Sequence, residues 1–484
     1  MNTFKRKSLY AALLSVGALG VTGAADAVNV NPNGLGQVLI YPYYTVRADA
    51  LINPFNSLLS VVNTTSSVQV VKVRFLEGKD SREVLDFNLF LSAFDVWTAS
   101  ITPNAAGGGH LATNDHSCTI PAIPPGGKDF VNFAYVGSNS DKGGDSLDRT
   151  KEGYVEIIGM ASFSDGSTVA SLATHVAGVP PCGITDSLVF QTSRDFPLGG
   201  LFGGISLVNV LSGDLYTEDA VAIDNFTQSE IYDFAGYVTP DLTAANPPVS
   251  SVIYTPFLGS DPFVINSTWA GGNADPVSAV LMHDSVMNEF VLDTGAHAST
   301  DWVLTMPTKR FYINVGTGNA PRLFQRNFNQ TVGACDDVGL DLFDREEFSA
   351  PGSFSPPPPT QTNALCWEAN VVTFNNGNVL GSANVTNIPT GFQNGWARIS
   401  FPFSSNFTVV TPHKLINVTN TVIVDGVTGG ISRAQTVTYF GLPVVGFAVQ
   451  NFINGTLSTT SGPAALIQSN YGGNFVQKGS LLIE

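Results

Sequence analysis

The chain has 484 residues and a formal net charge of −17, with 43% hydrophobic and only 13% charged residues. The negative charge repels nucleic acid and anionic membrane surfaces, and the apolar content excludes an acidic disordered chain. Because a chain of this length exceeds the usual size of a single hydrophobic core, two or three domains are expected.

Residues 1–27 have the pattern of a cleaved secretory signal peptide. Lys5, Arg6 and Lys7 supply its positive region, an apolar run over Leu9–Val21 follows, and small residues precede the expected cleavage site before Val28. This run is shorter than the roughly 20 residues that cross a bilayer, which disfavours a membrane anchor. No later segment has the pattern of a spanning helix. We therefore expect an exported protein, extracellular or at the cell surface, with the periplasm as an alternative.

Apolar and polar residues alternate with a period of two along much of the chain. In Val68–Phe75 the residues Val71, Val73 and Phe75 share one face, while Lys72 and Arg74 share the other. Leu85–Leu89 and Trp396–Phe401 repeat this pattern. Such alternation is typical of half-buried strands in antiparallel sheets, whose polar face is solvated. Residues 57–63 and 204–210 have similar patterns of apolar and polar residues, but this similarity is too weak to indicate a repeat fold.

Signals for other local structure are sparse. Short helices are predicted only over Thr217–Ile223 and Asp284–Leu292. A linker is predicted over Tyr237–Pro248, which is rich in helix and strand breakers, and an exposed proline-rich loop over 349–361. Three dipeptides that can supply positive φ predict tight hairpins. They are Asp165-Gly166, Asn376-Gly377 and Asp425-Gly426.

These patterns predict an all-β fold with two antiparallel β-sandwich domains, Ig-like or jelly-roll-like. The domains are expected over residues 28–240 and 241–484. An outer-membrane β-barrel is the alternative. The aromatic content of the chain favours the barrel, whereas the cysteines and the proline-rich segments disfavour it.

The chain has four cysteines, all of them after the predicted signal peptide. An even number in an exported chain favours disulfides, and three pairings are possible. The local pairs Cys118–Cys182 and Cys335–Cys366 are preferred, because shorter loops within separate domains are the commoner arrangement. A zinc site is the alternative, and the lack of Cys-x-x-Cys spacing disfavours it.

The motif Asp293-Thr294-Gly295-Ala296 follows an apolar run and resembles the catalytic loop of aspartic proteases. That chemistry needs two aspartates that share a proton. The chain contains no second Asp-Thr-Gly or Asp-Ser-Gly. A strand that ends in a turn is therefore the favoured interpretation of this motif, because aspartate and glycine suit turns on conformational grounds.

Two kinds of metal site are worth weighing. His110, Asp115, His116 and Cys118 lie in a glycine-rich segment and could hold a transition metal. A flexible hairpin tip is the favoured alternative for this segment, because three consecutive glycines precede His110.

Calcium is the second metal to weigh, because the chain is acidic and exported. Asp141, Asp145 and Glu152 have the spacing of three EF-hand ligands, but Ser146 occupies the position that requires glycine. Four further aspartates cluster in sequence. They are Asp336, Asp337, Asp341 and Asp344. Solvated loops are the favoured interpretation of both groups, so no cofactor is expected and calcium is left open.

Several stretches of the chain resemble a family of uncharacterised secreted, β-rich bacterial surface proteins. The stretches are Gly34–Tyr44, Glu152–Glu156 and Thr300–Tyr312. The resemblance extends over most of the chain after the signal peptide. It implies an exported, surface-associated protein, and it carries over no catalytic activity.

The leading functional hypothesis is a non-catalytic cell-surface or extracellular protein with a structural, self-assembly or adhesive role. Its expected partners are copies of itself, other surface components or glycans, and not nucleic acid. The alternative is a secreted β-sandwich enzyme that acts on polysaccharide. An enzyme of that kind would have a cleft with paired carboxylates of perturbed pKa.

Overall fold

In the computed structural model the described residues are 27–49, 53–245, 249–255, 263–269, 274–314, 323–329, 331–349, 363–401, 413–424, 434–457 and 465–483. The predicted signal peptide up to Asp26, the proline-rich loop beyond Ser349 and the Asp425-Gly426 turn lie outside them. The described chain is dominated by strands, which confirms the predicted all-β class.

The strands fall into two groups along the chain. Those before residue 240 are β1 (Asn29–Val30), β2 (Val38–Thr45), β3 (Asn56–Asn63), β4 (Val68–Glu77), β5 (Glu83–Leu91), β6 (Val96–Pro103), β7 (Gly109–Ala112), β8 (Thr119–Ile120), β9 (Lys128–Asp129), β10 (Glu152–Phe163), β11 (Leu201–Asn209), β12 (Asp214–Asp219) and β13 (Val221–Asp224). Those after it are β14 (Val249–Thr255), β15 (Phe263–Trp269), β16 (Met282–His283), β17 (Ser285–Val291), β18 (Ala298–Thr305), β19 (Asp336–Asp337), β20 (Gly339–Asp344), β21 (Ala364–Leu365), β22 (Ala369–Phe374), β23 (Val385–Ile388), β24 (Asn394–Ser400), β25 (Lys414–Val424), β26 (Ala434–Phe440), β27 (Leu442–Pro443), β28 (Val445–Leu457), β29 (Ala465–Asn474), β30 (Val476–Lys478) and β31 (Ser480–Ile483).

Helices are few and short. The α-helices span Thr168–Ala173, Asp186–Gln191, Asp275–Leu281 and Arg310–Ile313, and the 3₁₀ turns span Phe133–Tyr135, Gly137–Asn139 and Leu147–Lys151. The first two α-helices have capping side chains, since Ser167 accepts from the Ala170 N–H and Thr185 from the Leu188 N–H. In the described part of the chain, no helix is long and apolar enough to cross a membrane.

Two antiparallel sheets before residue 240 pack face to face as a sandwich. The seven-stranded sheet has the order β1-β13-β2-β10-β4-β5-β8, and the six-stranded sheet has the order β12-β11-β3-β6-β7-β9. Leu39 and Val73 of the first sheet share one core with Val61, Trp97 and Ile205 of the second. The period-two alternation read from the sequence places these apolar residues on the facing sides.

Three larger sheets follow residue 240. The central sheet has the order β23-β22-β18-β28-β29, the four-stranded sheet β20-β24-β17-β30, and the outer sheet β14-β15-β25-β26-β31. Pairing is antiparallel except between β22 and β23, which run parallel. Each of these sheets uses strands from one side of residue 240, but a parallel bridge between Val28 and Ser251 hydrogen-bonds the two sides of the predicted boundary. That boundary itself stays a prediction.

The central sheet is buried on both of its faces. Val303, Val371 and Phe447 pack into the core that the sandwich before residue 240 forms. Trp302 and Val372, one position away in their strands, pack into a second core among residues after 240. The hydrophobic core therefore continues across the predicted boundary, even though the sheets do not.

One predicted surface is wrong. Lys72 and Arg74 alternate with apolar residues as expected, but both side chains are 0% exposed rather than solvated. The second face of the seven-stranded sheet is covered by the helices Thr168–Ala173, Asp186–Gln191 and Asp275–Leu281, together with the segment predicted to be a linker, whose Leu242 is fully buried. The charges are accommodated by ion pairs, of Lys72 with Asp86 and of Arg74 with Glu83 and Glu156.

The predicted helices are also wrong. Residues 217–223 belong to β12 and β13, and 284–292 contain β17. Thr217 pairs with Ser206, and Val286 with Ile399, so pairing between distant segments overrides weak local helix signals.

Two predicted hairpin turns have a different context. Gly166 has a φ of 82° but leads from β10 into the helix Thr168–Ala173. Asn376 has a φ of 60° and lies between the parallel strands β22 and β23. Only one residue of each dipeptide has a positive φ, so neither forms the predicted left-handed pair, and neither joins two antiparallel strands.

Disulfides join Cys118 to Cys182 and Cys335 to Cys366, the two pairs preferred from the sequence. The first closes 64 residues and ties Cys118, the residue before β8, to the loop before the helix Asp186–Gln191. The second closes 31 residues and brackets the predicted proline-rich loop. Disulfides of this kind are typical of proteins that fold in an oxidising compartment.

Candidate functional site

The outer face of the six-stranded sheet carries a groove of about 660 Å³. In β3, β6, β11 and β12, every second side chain points into the sandwich core and the others point outward. The outward positions that line the groove are rich in hydroxyl groups. They include Ser60, Thr98, Ser100, Ser206 and Thr217.

Strand register arranges these residues in rows across the sheet. One row runs Asp219, Gly204, Ser60 and Thr98 over four neighbouring strands. The next row runs Thr217, Ser206, Leu58 and Ser100 over the same four strands. Neighbouring strands are about 4.8 Å apart, and each row carries three polar side chains, with Gly204 as the fourth member of the first row and Leu58 as that of the second.

Two adjacent glycines keep the groove open. Gly204 faces outward, and a side chain there would project into the first row, with its Cβ 3.1 Å from the Glu218 carbonyl oxygen. Gly203 faces the core and leaves room for Tyr41, whose hydroxyl donates to the Ser60 carbonyl oxygen at 2.8 Å. The floor of the groove is therefore backbone, held in place from beneath by a buried tyrosine.

The groove combines hydroxyl groups with apolar rims and little charge. Leu58, which lies within the second row, is 45% exposed, and Phe202, two residues from Gly204 in β11, is 43% exposed. Asp219 is the one charged residue that lines it. Hydroxyls of this kind both donate and accept, and the Ser206 and Thr217 oxygens lie 3.1 Å apart. The arrangement suits a ligand with many hydroxyl groups and apolar C–H faces.

A second cavity, of about 360 Å³, lies where the residues before and after 240 meet. Arg74, Asp80, Arg82, Glu83 and Arg310 line it. Burial raises the pKa of Asp80 to about 6 and also raises the pKa of Glu83, although their arginine partners act to lower both values. Two carboxylates whose pKa values are raised therefore line this cavity, and the enzyme alternative requires a pair of this kind.

Each of those carboxylates is engaged by an arginine. Asp80 lies 2.9 Å from Arg82 Nε, and Glu83 lies 2.8 Å from Arg74 Nε. Asp80 also accepts from the Asn314 amide at 3.0 Å. Ion pairs of this kind can shift pKa values for structural reasons alone, so they do not by themselves indicate acid–base chemistry.

The predicted transition-metal residues are not assembled into a site. His110 Nδ1 lies 2.7 Å from Asp129, while Asp115 accepts from the Ser117 N–H in a turn. Cys118 is in its disulfide, and His116 lines a cavity of about 520 Å³ beside that bond. Across the described ranges, no group of three or more His, Cys, Asp or Glu side chains is placed to hold a metal ion.

The EF-hand-like residues are separated by their ion pairs. Arg149 binds Asp141, and Arg47 binds Glu152. Glu152 also accepts from the Tyr43 hydroxyl at 2.7 Å. These carboxylates are thus neutralised by arginine and tyrosine rather than directed at a common point.

The aspartates of the 336–344 cluster also have separate partners. Asp336 is buried against Lys309 and His413, Asp337 pairs with Arg326, and Asp341 pairs with Arg398. Asp344 accepts from the backbone N–H groups of the turn that follows it. The four side chains do not converge.

Asp293 lies in a turn, as the favoured interpretation predicted. Its carboxylate accepts from the Ala296 N–H at 2.9 Å, and its carbonyl oxygen accepts from the Ala298 N–H at 2.9 Å. His297, the residue before β18 begins at Ala298, has a φ of 45°. The Asp-Thr-Gly motif is a conformational feature at a strand end.

Sequence reasoning did not identify the groove. The sequence did contain an indication of it, because residues 57–63 and 204–210 have similar residue patterns and lie in the neighbouring strands β3 and β11. Serine or threonine at alternate outward positions of several strands predicts a hydroxyl-rich face once the strands are known to pair. No protein-family model matches the chain, and comparison with curated proteins finds no match.

Proposed function

We propose that this chain is a non-catalytic exported protein that adheres to uncharged polysaccharide through the groove on its six-stranded sheet. The observation that carries the proposal is the pair of hydroxyl rows above a backbone floor, flanked by Leu58 and Phe202. Sugar hydroxyls can exchange hydrogen bonds with the serine and threonine rows, and sugar C–H faces can pack on the two apolar side chains.

Charge supports an uncharged ligand. The chain has a net charge of −17, and the residues lining the groove include one aspartate and no lysine or arginine. An acidic polymer would be repelled by the whole molecule and would find no cationic partner in the groove. Neutral glucans, mannans and xylans are therefore the ligand class to test.

Thr98→Arg and Thr217→Arg test the proposal, because each places a long cationic side chain across a row of the groove. We expect either variant to weaken binding to a neutral polysaccharide at least about tenfold, which corresponds to about 1.4 kcal/mol. Affinity electrophoresis against a panel of soluble neutral polysaccharides measures the change.

Ser187→Arg is the matched control. Ser187 is exposed on the helix Asp186–Gln191, outside the groove, and arginine is a good helix former. Binding by this variant should equal that of the wild type. If no neutral polysaccharide binds the wild type, or if all three variants bind equally well, groove-mediated adhesion is ruled out.

The enzyme alternative has one observation in its favour, the cavity lined by Asp80 and Glu83. Reducing-end release from the same polysaccharides tests it. Turnover by the wild type that is lost in Asp80→Asn would replace the adhesive proposal. We expect no turnover, because both carboxylates are held by arginines.

A further inference from the structure

A lysine and an aspartate after residue 240 form an ion pair that is closed to solvent. Lys309 lies just before the helix Arg310–Ile313, and Asp336 begins β19. Lys309 Nζ lies 2.8 Å from Asp336 Oδ2, and both side chains are 0% exposed. Taking two charges out of water costs about as much as their attraction returns, so a pair of this kind adds little net stability. Joining the two groups as an amide would remove both charges.

The surroundings of the pair are largely apolar. The centroid of the Phe324 ring lies 5.3 Å from Lys309 Nζ, and Phe324 and Tyr312 both belong to the second core. The Leu365 carbonyl oxygen accepts from Lys309 Nζ at 3.3 Å. Because solvent is excluded, charge interactions within this site are strong and water does not compete for the reacting groups.

The two carboxylate oxygens of Asp336 have different neighbours. Oδ2 faces the amine, whereas Oδ1 accepts from the Gln325 N–H at 2.8 Å and lies 3.2 Å from His413 Nε2. Burial acts to raise the pKa of Asp336, but the charge of Lys309 and the hydrogen bond from His413 hold that pKa below its ordinary value. Two donors on one oxygen resemble an oxyanion hole, which stabilises the negative charge that develops when a nucleophile adds to the carbon.

A second buried carboxyl group close to the lysine has a different partner. Glu368 is 0% exposed, and its backbone carbonyl oxygen accepts from the N–H of Met306, three residues before Lys309. Burial raises the pKa of Glu368 well above its ordinary value, which favours its neutral form. Its Oε2 accepts from the Ser81 hydroxyl. The carboxylate that faces the amine is therefore that of Asp336.

We propose that Lys309 and Asp336 condense into an intramolecular amide. The Lys309 ammonium transfers a proton to Asp336 Oδ2, which leaves an amine beside a carboxylic acid. Nζ then adds to Cγ, and the electron pair displaced from the C=O bond moves to Oδ1, where the Gln325 N–H and His413 stabilise it. As this pair returns, the Cγ–Oδ2 bond breaks, and Oδ2 leaves as water with a second proton from Nζ. The amide nitrogen keeps the third hydrogen, and no oxidant or reductant is needed.

The fold promotes this condensation by holding the two groups together. An amine and a carboxyl group fixed in contact react as one molecule, at an effective concentration far above any that is reached in solution. The amide closes a loop beside the one that the Cys335–Cys366 disulfide closes. A reductant breaks the disulfide but leaves the amide intact. The cross-link does not depend on polysaccharide binding, so either proposal can fail without the other.

The mass of the intact protein, measured after reduction and denaturation, tests the cross-link directly. We expect the wild type to be lighter by one water than the mass of its sequence, counted from the observed N-terminus. Peptide mapping after reduction should find Lys309 joined to Asp336. Trypsin should not cleave after Lys309, because its side chain no longer carries a free ammonium group.

Lys309→Arg separates the amide from the ion pair. The guanidinium keeps the positive charge beside Asp336, but it stays protonated and does not act as a nucleophile. We expect this variant to have the full mass of its sequence. Lys151→Arg is the matched control, since Lys151 and Asp148 form an ion pair of 2.9 Å whose side chains are 27% and 48% exposed. It should still be lighter by one water.

Three results would overturn the proposal. The first is a wild type with the full mass of its sequence, which would mean that the pair is an ion pair alone. The second is a missing water that peptide mapping locates elsewhere, for example as a cyclised aspartate in an Asp-Gly dipeptide. The third is a missing water that persists in Lys309→Arg. If Lys309→Arg does not fold, the peptide map of the wild type decides the question by itself.

Discussion

Arg149 shows how this protein neutralises carboxylates that folding buries. Its side chain is 3% exposed, and its Nη2 lies 2.8 Å from Glu77 and 2.7 Å from Asp141. Burial acts to raise the pKa of Asp141, but hydrogen bonds from Arg149 and from the Gly143 N–H hold that pKa below its ordinary value. One guanidinium therefore serves two buried acids.

Arg149→Ala should lower the free energy of unfolding by about 3 to 5 kcal/mol, because it leaves buried Glu77 without its counter-charge and leaves Asp141 only the longer contact with Arg82, at 3.6 Å. Urea unfolding at neutral pH measures the loss. Arg345→Ala is the control, since that side chain is 74% exposed and its ion pair is worth less than about 1 kcal/mol. Equal losses in the two variants would contradict this account.

Glu218, near the end of β12, is a carboxylate whose pKa is raised by folding, whereas that of Asp141 is lowered. Burial, aided by the charge of Asp219, raises its pKa to about 8. The folded protein therefore binds this proton more tightly than the unfolded chain does. The contribution of this proton to the stability of the folded state is complete below the ordinary glutamate pKa. It is lost as the pH rises through about 8.

Replacing Glu218 by glutamine should flatten the dependence of stability on pH. The amide resembles the protonated acid, so wild type and Glu218→Gln should unfold with similar free energies at acidic pH. Above the raised pKa the variant should be the more stable of the two, and chemical unfolding across that interval measures the difference. Parallel profiles would show that Glu218 does not titrate in this way.

At the scale of elements, the central sheet differs from an ordinary sandwich sheet. Val371 and Val372 are neighbours in β22, and their side chains enter two different cores. In the half-buried strand β3, by contrast, Leu59 is buried at 2% exposure and Leu58 is 45% exposed. In a sheet with two buried faces, shortening the side chain at either of two consecutive positions should therefore destabilise the protein.

Val371→Ala and Val372→Ala should each lower the free energy of unfolding by about 2 to 3 kcal/mol, from lost transfer energy and the cavities left behind. Leu59→Ala should cost about 2 to 5 kcal/mol, whereas Leu58→Ala should cost less than about 1 kcal/mol. Urea unfolding of the four variants gives the comparison. A near-neutral Val371→Ala would mean that the central sheet is covered on one face only.

At the scale of the whole molecule, contacts across residue 240 are polar as well as apolar. The Thr305 hydroxyl donates to the Pro42 carbonyl oxygen at 2.6 Å, and the Tyr154 hydroxyl donates to the Pro307 carbonyl oxygen at 3.2 Å. The Ala383 N–H donates to Glu152 at 3.0 Å. From the shared core and these contacts, we expect the two parts of the chain to unfold together.

Calorimetry should accordingly show a single unfolding transition for the full-length protein. A fragment of residues 28–240 should expose the apolar face that Val303, Val371 and Phe447 cover, and should bind hydrophobic dyes or aggregate. Two separate transitions, or a soluble fragment that unfolds cooperatively, would show that the domains predicted from the sequence are independent.

The sequence by itself determined the all-β class, the alternation of faces within strands such as β4 and β24, and the local pairing of the cysteines. These depend on periodicity and spacing, which are properties of a short stretch of chain. Only the tertiary structure decided what covers each face. Alternation shows that Lys72 and Arg74 share a side of β4, but not that short helices and the segment around Leu242 cover that side. The hydroxyl rows of the groove and the buried contacts of Asp336 with Lys309 and His413 arise in the same way, because segments distant in sequence meet there.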